Sequence, residues 1–74
     1  MVNHSTEALE ITVNGETRTI PAGLNVVELL KHLEVVPDRV AVELNRSIVR
    51  PPAWESTRIE AGAQLEIVQF VGGG

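Results

Sequence analysis

Leu9, Ile11 and Val13 alternate with Glu10 and Thr12, the two-residue period of a strand with one buried face. Asn14-Gly15 follows at once. Both central residues of a type I′ turn need positive φ, so this dipeptide predicts a hairpin with Thr17 to Ile20 as the returning strand. Pro21-Ala22-Gly23 ends that strand, because proline cannot donate to a ladder and glycine frees the backbone to turn. The period then changes. Val26, Leu29, Leu30 and Leu33 stand at i, i+3, i+4 and i+7, a single stripe on a helix, while Glu28, Lys31 and His32 fall off it. Asn25 is the expected N-cap, with Glu28 as the capping-box carboxylate, and the helix stops before Pro37. Glu28 and His32 are also one helical turn apart, a spacing that permits a pair worth about 0.2–0.5 kcal/mol.

Beyond a turn at Pro37-Asp38-Arg39, Val40, Val42 and Leu44 alternate with Ala41 and Glu43. Asn45-Arg46 turns the chain back into a short partner strand, Ser47 to Val49, which Arg50-Pro51-Pro52 ends as an extended edge segment. Ala53 to Glu60 shows no clear period. Gly62 permits a tight turn into the last strand, Gln64 to Val71. The order is hairpin, helix, hairpin, irregular segment, strand, and so short an amphipathic helix must cover one sheet face to hide its stripe. The expected architecture is α+β: a mixed sheet of four to five strands with one main helix on one face, the β-grasp or ubiquitin-like arrangement. Residues 1–8 form an aperiodic lead, 9–71 the domain and 72–74 a flexible glycine tail.

With 74 residues, 43% of them hydrophobic, the chain makes one small domain with no room for a large internal active site. The absence of cysteine excludes disulfides, thiolate zinc sites and thiol nucleophiles. Six basic against ten acidic residues give −4, the wrong sign for a nucleic-acid backbone. No signal-like or membrane-spanning run is present, which points to the cytoplasm and away from membranes. His4 and His32 stand too far apart, with too few partners, for a metal site. Trp54 is expected to cover the open end of the core, with a role as partner anchor as the rival reading.

The end of the chain carries the candidate chemistry. If Leu65 and Ile67 point inward, Glu66, Val68 and Phe70 share the solvent side, and an exposed valine and the sole phenylalanine there suggest a partner-binding patch that continues into Val71. Glu66 and Glu43 would steer a basic partner. Gly72, Gly73 and Gly74 have no side chain to clash, so they can thread a narrow channel and reach about 10 Å past Val71. The Gly74 carboxylate, with a pKa of about 3.5, resists nucleophiles at neutral pH until it is activated, for which ATP is the natural agent. Three glycines suit equally an end with no task.

From Leu9 to Gly74 the sequence resembles the thiamine-biosynthesis sulfur carriers, the ThiS-type ubiquitin-like proteins. The resemblance lies in Ile11-Thr12-Val13-Asn14-Gly15, Val27-Glu28-Leu29-Leu30, Val40-Ala41-Val42-Glu43-Leu44-Asn45, Ile48-Val49 with Trp54 downstream, and above all Leu65-Glu66-Ile67-Val68-Gln69-Phe70-Val71-Gly72-Gly73-Gly74. Asn45-Arg46 stands where the family usually has Asn-Gly, Pro51-Pro52 replaces Pro-Arg, and Ala63 follows Gly62 where an acid is common. The resemblance implies a protein co-substrate and not an enzyme. By the same resemblance, Gly74 is expected to be adenylated by an E1-like adenylating enzyme that uses ATP, converted to a thiocarboxylate with sulfur from a donor such as a cysteine desulfurase system, and made to give that sulfur to thiazole synthase. It implies no bound cofactor and no metal. A molybdopterin-synthase small-subunit-like carrier, a ubiquitin-like modifier and a non-catalytic interaction module remain as alternatives, although a single lysine, Lys31, argues against chain-forming conjugation.

Overall fold

A computed structural model describes residues 7–70. Five strands form one mixed sheet in the order β2-β1-β5-β3-β4: β1 Ala8–Val13, β2 Glu16–Pro21, β3 Val40–Leu44, β4 Ser47–Val49 and β5 Gln64–Gln69. Only β1 and β5 run parallel, side by side in the middle of the sheet. Helix α1, Val26–His32, buries Val26, Leu29 and Leu30 in one core with Ile11, Val13 and Ile20 from the first hairpin and Val42 and Leu65 from β3 and β5. This is the β-grasp arrangement that the alternation and the helical stripe predict.

Local chemistry explains the boundaries. Asn14 and Gly15 have φ of 51° and 83°, so the first hairpin closes as a type I′ turn. The Asn25 Oδ1 accepts from the Glu28 N–H at 2.8 Å and the Glu28 Oε1 accepts from the Asn25 N–H at 2.9 Å, a complete capping box. That bond corrects the expected Glu28–His32 pair, because the carboxylate is committed to the N-cap. The Asn25 Nδ2 also donates to the Glu55 carbonyl at 3.1 Å, tying the helix start to the segment beyond β4. At the other end of α1 the Glu34 N–H donates to Lys31 and the Val35 N–H to Leu30, at 3.0 and 2.9 Å, a Schellman closure with Glu34 at φ 61°.

Two expectations change. Pro51 and Pro52 do not form an extended edge segment. They open a short helix, α2, Pro51–Trp54, because the proline φ of about −65° and missing N–H suit the first helical positions, and only the preceding Arg50 stays extended. Strand β5 ends at Gln69, two residues short of the expected end. Phe70 lies just beyond it, its N–H donating to the Arg39 carbonyl at 2.7 Å, and Val71 is outside the described residues. Strand β1 begins at Ala8 and Pro37–Arg39 forms one 3-10 turn. The aperiodic stretch after Trp54 supplies Ile59 to the core.

Glu34 and Arg46 occupy the left-handed region without being glycine, Arg46 at φ 74° in the second hairpin turn. Relieving a side chain there gains about 1–2 kcal/mol, of which glycine's freedom in the unfolded chain returns about 0.4–1. Glu34→Gly and Arg46→Gly are each expected to stabilise by about 0.5–1 kcal/mol, read as a rise in Tm of about 2–8 °C. A fall in Tm would show that these side chains make contacts worth more than the strain.

Candidate functional site

The outward face of the sheet follows from register. Val42↔Ile67 and Leu44↔Leu65 pair on the core side of β3 and β5, which leaves Ala41↔Val68 and Glu43↔Glu66 facing out. On the other side of β3, Glu43 pairs with Ile48 of β4, so Ile48 faces out as well. Ile48 is 67% exposed, Phe70 56% and Val68 55%, and Leu65 by contrast is buried. Glu66 and Val68 therefore face out as expected, Phe70 is exposed just beyond the strand, and Ile67 is half-buried on the inner side.

Ala41, Ile48 and Val68 line a shallow concavity of about 100 Å³ whose rim is Glu43 and Glu66. Ile48 also borders a wider groove of about 510 Å³ that Phe70, Val40, Pro51 and Trp54 help to line. Ile48 thus joins the two hollows. It was not among the positions expected from sequence, although the signal is there. A two-residue turn at Asn45-Arg46 sets Leu44 opposite Ser47, hence Glu43 opposite Ile48, and Glu43 alternates with the inward Val42 and Leu44.

Glu43 and Glu66 stand directly opposite each other across β3 and β5, a like-charge pair that opposes the strand pairing and that a cation brought by a partner would relieve. The two glutamates also line a second, separate depression together with Arg46 and Gln64, and among the described residues the one ion pair within 4.0 Å is Arg18 to Glu16 at 3.9 Å, on β2. Trp54 covers the end of the core as expected: it is 6% exposed and its Nε1 donates to the Val49 carbonyl at 2.8 Å. His32 is exposed on α1, and His4 lies outside the described residues. No helix among the described residues is long and apolar enough to cross a membrane. Val71, Gly72, Gly73 and Gly74 also lie outside the described residues, so the structure gives the strand that leads to them and the patch beside it.

Comparison with known proteins adds the family. A thiazole synthase of Paramagnetospirillum magneticum is 39% identical over 66 residues, which are 89% of this chain and 20% of that protein, so the chain spans about a fifth of the relative's length. The crystal structure of a thiamine biosynthesis protein (ThiS) from Geobacter metallireducens superposes with a TM-score of 0.78 at 38% identity, covering 89% of this chain and 100% of that one. A computationally designed protein based on human erythrocytic ubiquitin superposes with a TM-score of 0.53 at 18% identity, covering 90% and 95% of the two chains, which speaks to the fold alone. The family model for ThiS matches residues 11–74, and the chain belongs to the ThiS family, built on the ubiquitin-like β-grasp fold.

Proposed function

We propose that this chain is a sulfur carrier of thiamine biosynthesis, a protein co-substrate whose reactive group is the carboxylate of Gly74. A carboxylate oxygen attacks the α-phosphorus of ATP in the active site of an adenylating enzyme, pyrophosphate leaves, and the acyl adenylate forms. The outer sulfur of a persulfide on a donor such as a cysteine desulfurase system then attacks the acyl carbon and AMP leaves, giving an acyl disulfide. A thiol, acting as the reductant, attacks the donor's sulfur of that S–S bond, forms a disulfide with it and frees the terminus as a thiocarboxylate. Adenylation is the step that makes a resonance-stabilised anion attackable at neutral pH. The thiocarboxylate gives its sulfur to a thiazole synthase during thiazole formation, a partner consistent with the related stretch within a thiazole synthase chain.

The observation that carries this reading is the placement of an exposed apolar patch on the strand leading to the chain's end, in a family match that runs through residue 74. Val68, Phe70 and Ile48 present apolar area to a partner, Val71 follows Phe70 in the sequence, and the Glu43–Glu66 pair favours a basic residue opposite. A domain of this size has little space for catalytic machinery of its own, so the described fold serves as a grip and the chemistry belongs to the partner's site.

Intact-mass spectrometry tests the proposal. Incubation with an adenylating enzyme, ATP and a sulfur donor is expected to raise the mass by one oxygen-to-sulfur exchange, and omission of ATP to prevent it. An unchanged mass overturns the carrier reading. Recovery of the chain in isopeptide linkage to other proteins places it among modifiers instead.

A further inference from the structure

Strand β5 is covered unevenly. On one side it pairs with β3 from Leu44↔Leu65 to Val40↔Gln69. On the other it pairs with β1 only at Thr12↔Gln64 and Val13↔Leu65, because β1 reverses at Asn14 while β5 continues. The first peptide of β5 beyond β1 that faces this gap belongs to Ile67, and both its polar groups are taken by one side chain. The Ile67 N–H donates to the Asn14 Oδ1 at 2.8 Å, and the Asn14 Nδ2 donates to the Ile67 carbonyl at 3.1 Å. The Asn14 N–H meanwhile donates to the Leu65 carbonyl at 2.9 Å. A carboxamide has one acceptor and one donor side by side, as a peptide group has, so Asn14 continues the β1–β5 ladder past the point where β1 has turned away. Asn45, at φ 50° in the other hairpin turn, holds β5 from the β3 side: its N–H donates to the Gln64 carbonyl at 2.7 Å and its Oδ1 accepts from the Gln64 N–H at 2.9 Å.

We propose that Asn14 is a positioning residue: its side chain replaces the missing β1 neighbour beside Ile67 and so fixes the course on which β5 leaves the fold toward the chain's end. As a statement about sulfur transfer this rests on the carrier reading above; as a statement about β5 it stands on the two hydrogen bonds. The division of labour along β5 follows. Val68 and Phe70 set how tightly a partner docks, while the course of the strand beyond Ile67 sets how often the terminal carboxylate meets ATP once docked. Loosening that course multiplies the orientations the terminus samples and lowers the rate of a step that needs close approach, with docking little changed.

The test uses the full chain. Asn14→Gly accepts the positive φ of the turn and deletes both side-chain hydrogen bonds; Asn14→Asp keeps the acceptor for the Ile67 N–H and sets a carboxylate oxygen against its carbonyl. Glu34→Gly, at the turn after α1, serves as the control. Amide exchange at Ile67 is expected to quicken about tenfold in Asn14→Gly, with Leu30 in α1 changed far less and the control unchanged at Ile67. In ATP–pyrophosphate exchange with an adenylating enzyme, kcat is expected to fall about fivefold to tenfold for Asn14→Gly while KM for the carrier moves less than about twofold. Unchanged exchange at Ile67 overturns the hydrogen-bonded hold itself. Faster exchange with unchanged kcat, or a rise in KM that accounts for the whole loss, overturns the role in delivery. A wild-type chain that supports no pyrophosphate exchange overturns the carrier reading, and with it the delivery role, while the amide measurement still decides the hold on β5.

Discussion

Deletion of Gly74 is expected to abolish the gain of sulfur while leaving partner affinity within about twofold of the full chain, because the docking patch is intact. The shortened chain still ends in a carboxylate, but that group now sits one residue back, about 3.3–3.6 Å from where the full chain delivers it. Reacting atoms must come within about 3–3.5 Å, and displacements of about 1 Å already cost on the order of a hundredfold, so a full-residue shortfall removes the reaction. Val68→Asp is expected to do the converse. Val68 is 55% exposed, so the fold tolerates the change, but a carboxylate placed in the apolar centre of the patch and close to Glu66 should weaken binding about a hundredfold, or about 2.7 kcal/mol. Saturating partner then restores the mass gain for Val68→Asp and never for the deletion, as titration calorimetry beside intact-mass spectrometry would show. Should both changes act through affinity alone, the terminus is part of the docking surface and the reactive group lies elsewhere.

The two halves of this reading differ in how much of them the amino-acid pattern discloses. Turns and caps are legible because their causes are local: Asn14-Gly15 needs positive φ, and Asn25 with Glu28 needs three residues of spacing and nothing from the rest of the chain. What is hidden depends on distant pairing. Ile59 sits between Arg58 and Glu60 with no period around it, and it is buried because Asn25 bridges to Arg58 and the Ile59 N–H donates to the Leu24 carbonyl. Asn14 reads as a turn residue only, because the strand its side chain holds lies fifty-three positions further on. Pro51-Pro52 misleads for a different reason: the same fixed φ serves an extended segment and the first turn of a helix, and the choice falls to Trp54, which the helix turns back over β4. For residues 72–74 the pattern alone leaves a threading tail and an idle end equally open, and only the family resemblance favours the proposed chemistry, since three glycines fit both.

Trp54 carries the largest expected effect on stability. It is the sole tryptophan, it is 6% exposed, and its indole closes the end of the core between α2 and β4 while donating to the Val49 carbonyl. Truncating a buried aromatic of this size to alanine typically costs about 3–5 kcal/mol, through lost transfer energy and the cavity left behind. A domain this small commands only about 3–5 kcal/mol in total, so Trp54→Ala is expected to populate the unfolded state heavily at 25 °C, seen by circular dichroism as a lost or sharply lowered urea midpoint. Trp54→Phe retains most of the apolar volume and forfeits the N–H donor, and it should cost about 1 kcal/mol beyond any repacking. The difference separates packing from hydrogen bonding. Trp54 also lines the groove that Ile48 and Phe70 share, so Trp54→Phe should weaken partner binding only as far as that wall is disturbed. A loss of binding as large as that of Val68→Asp, in a variant that remains folded, would make Trp54 a direct anchor for the partner and not chiefly a lid on the core.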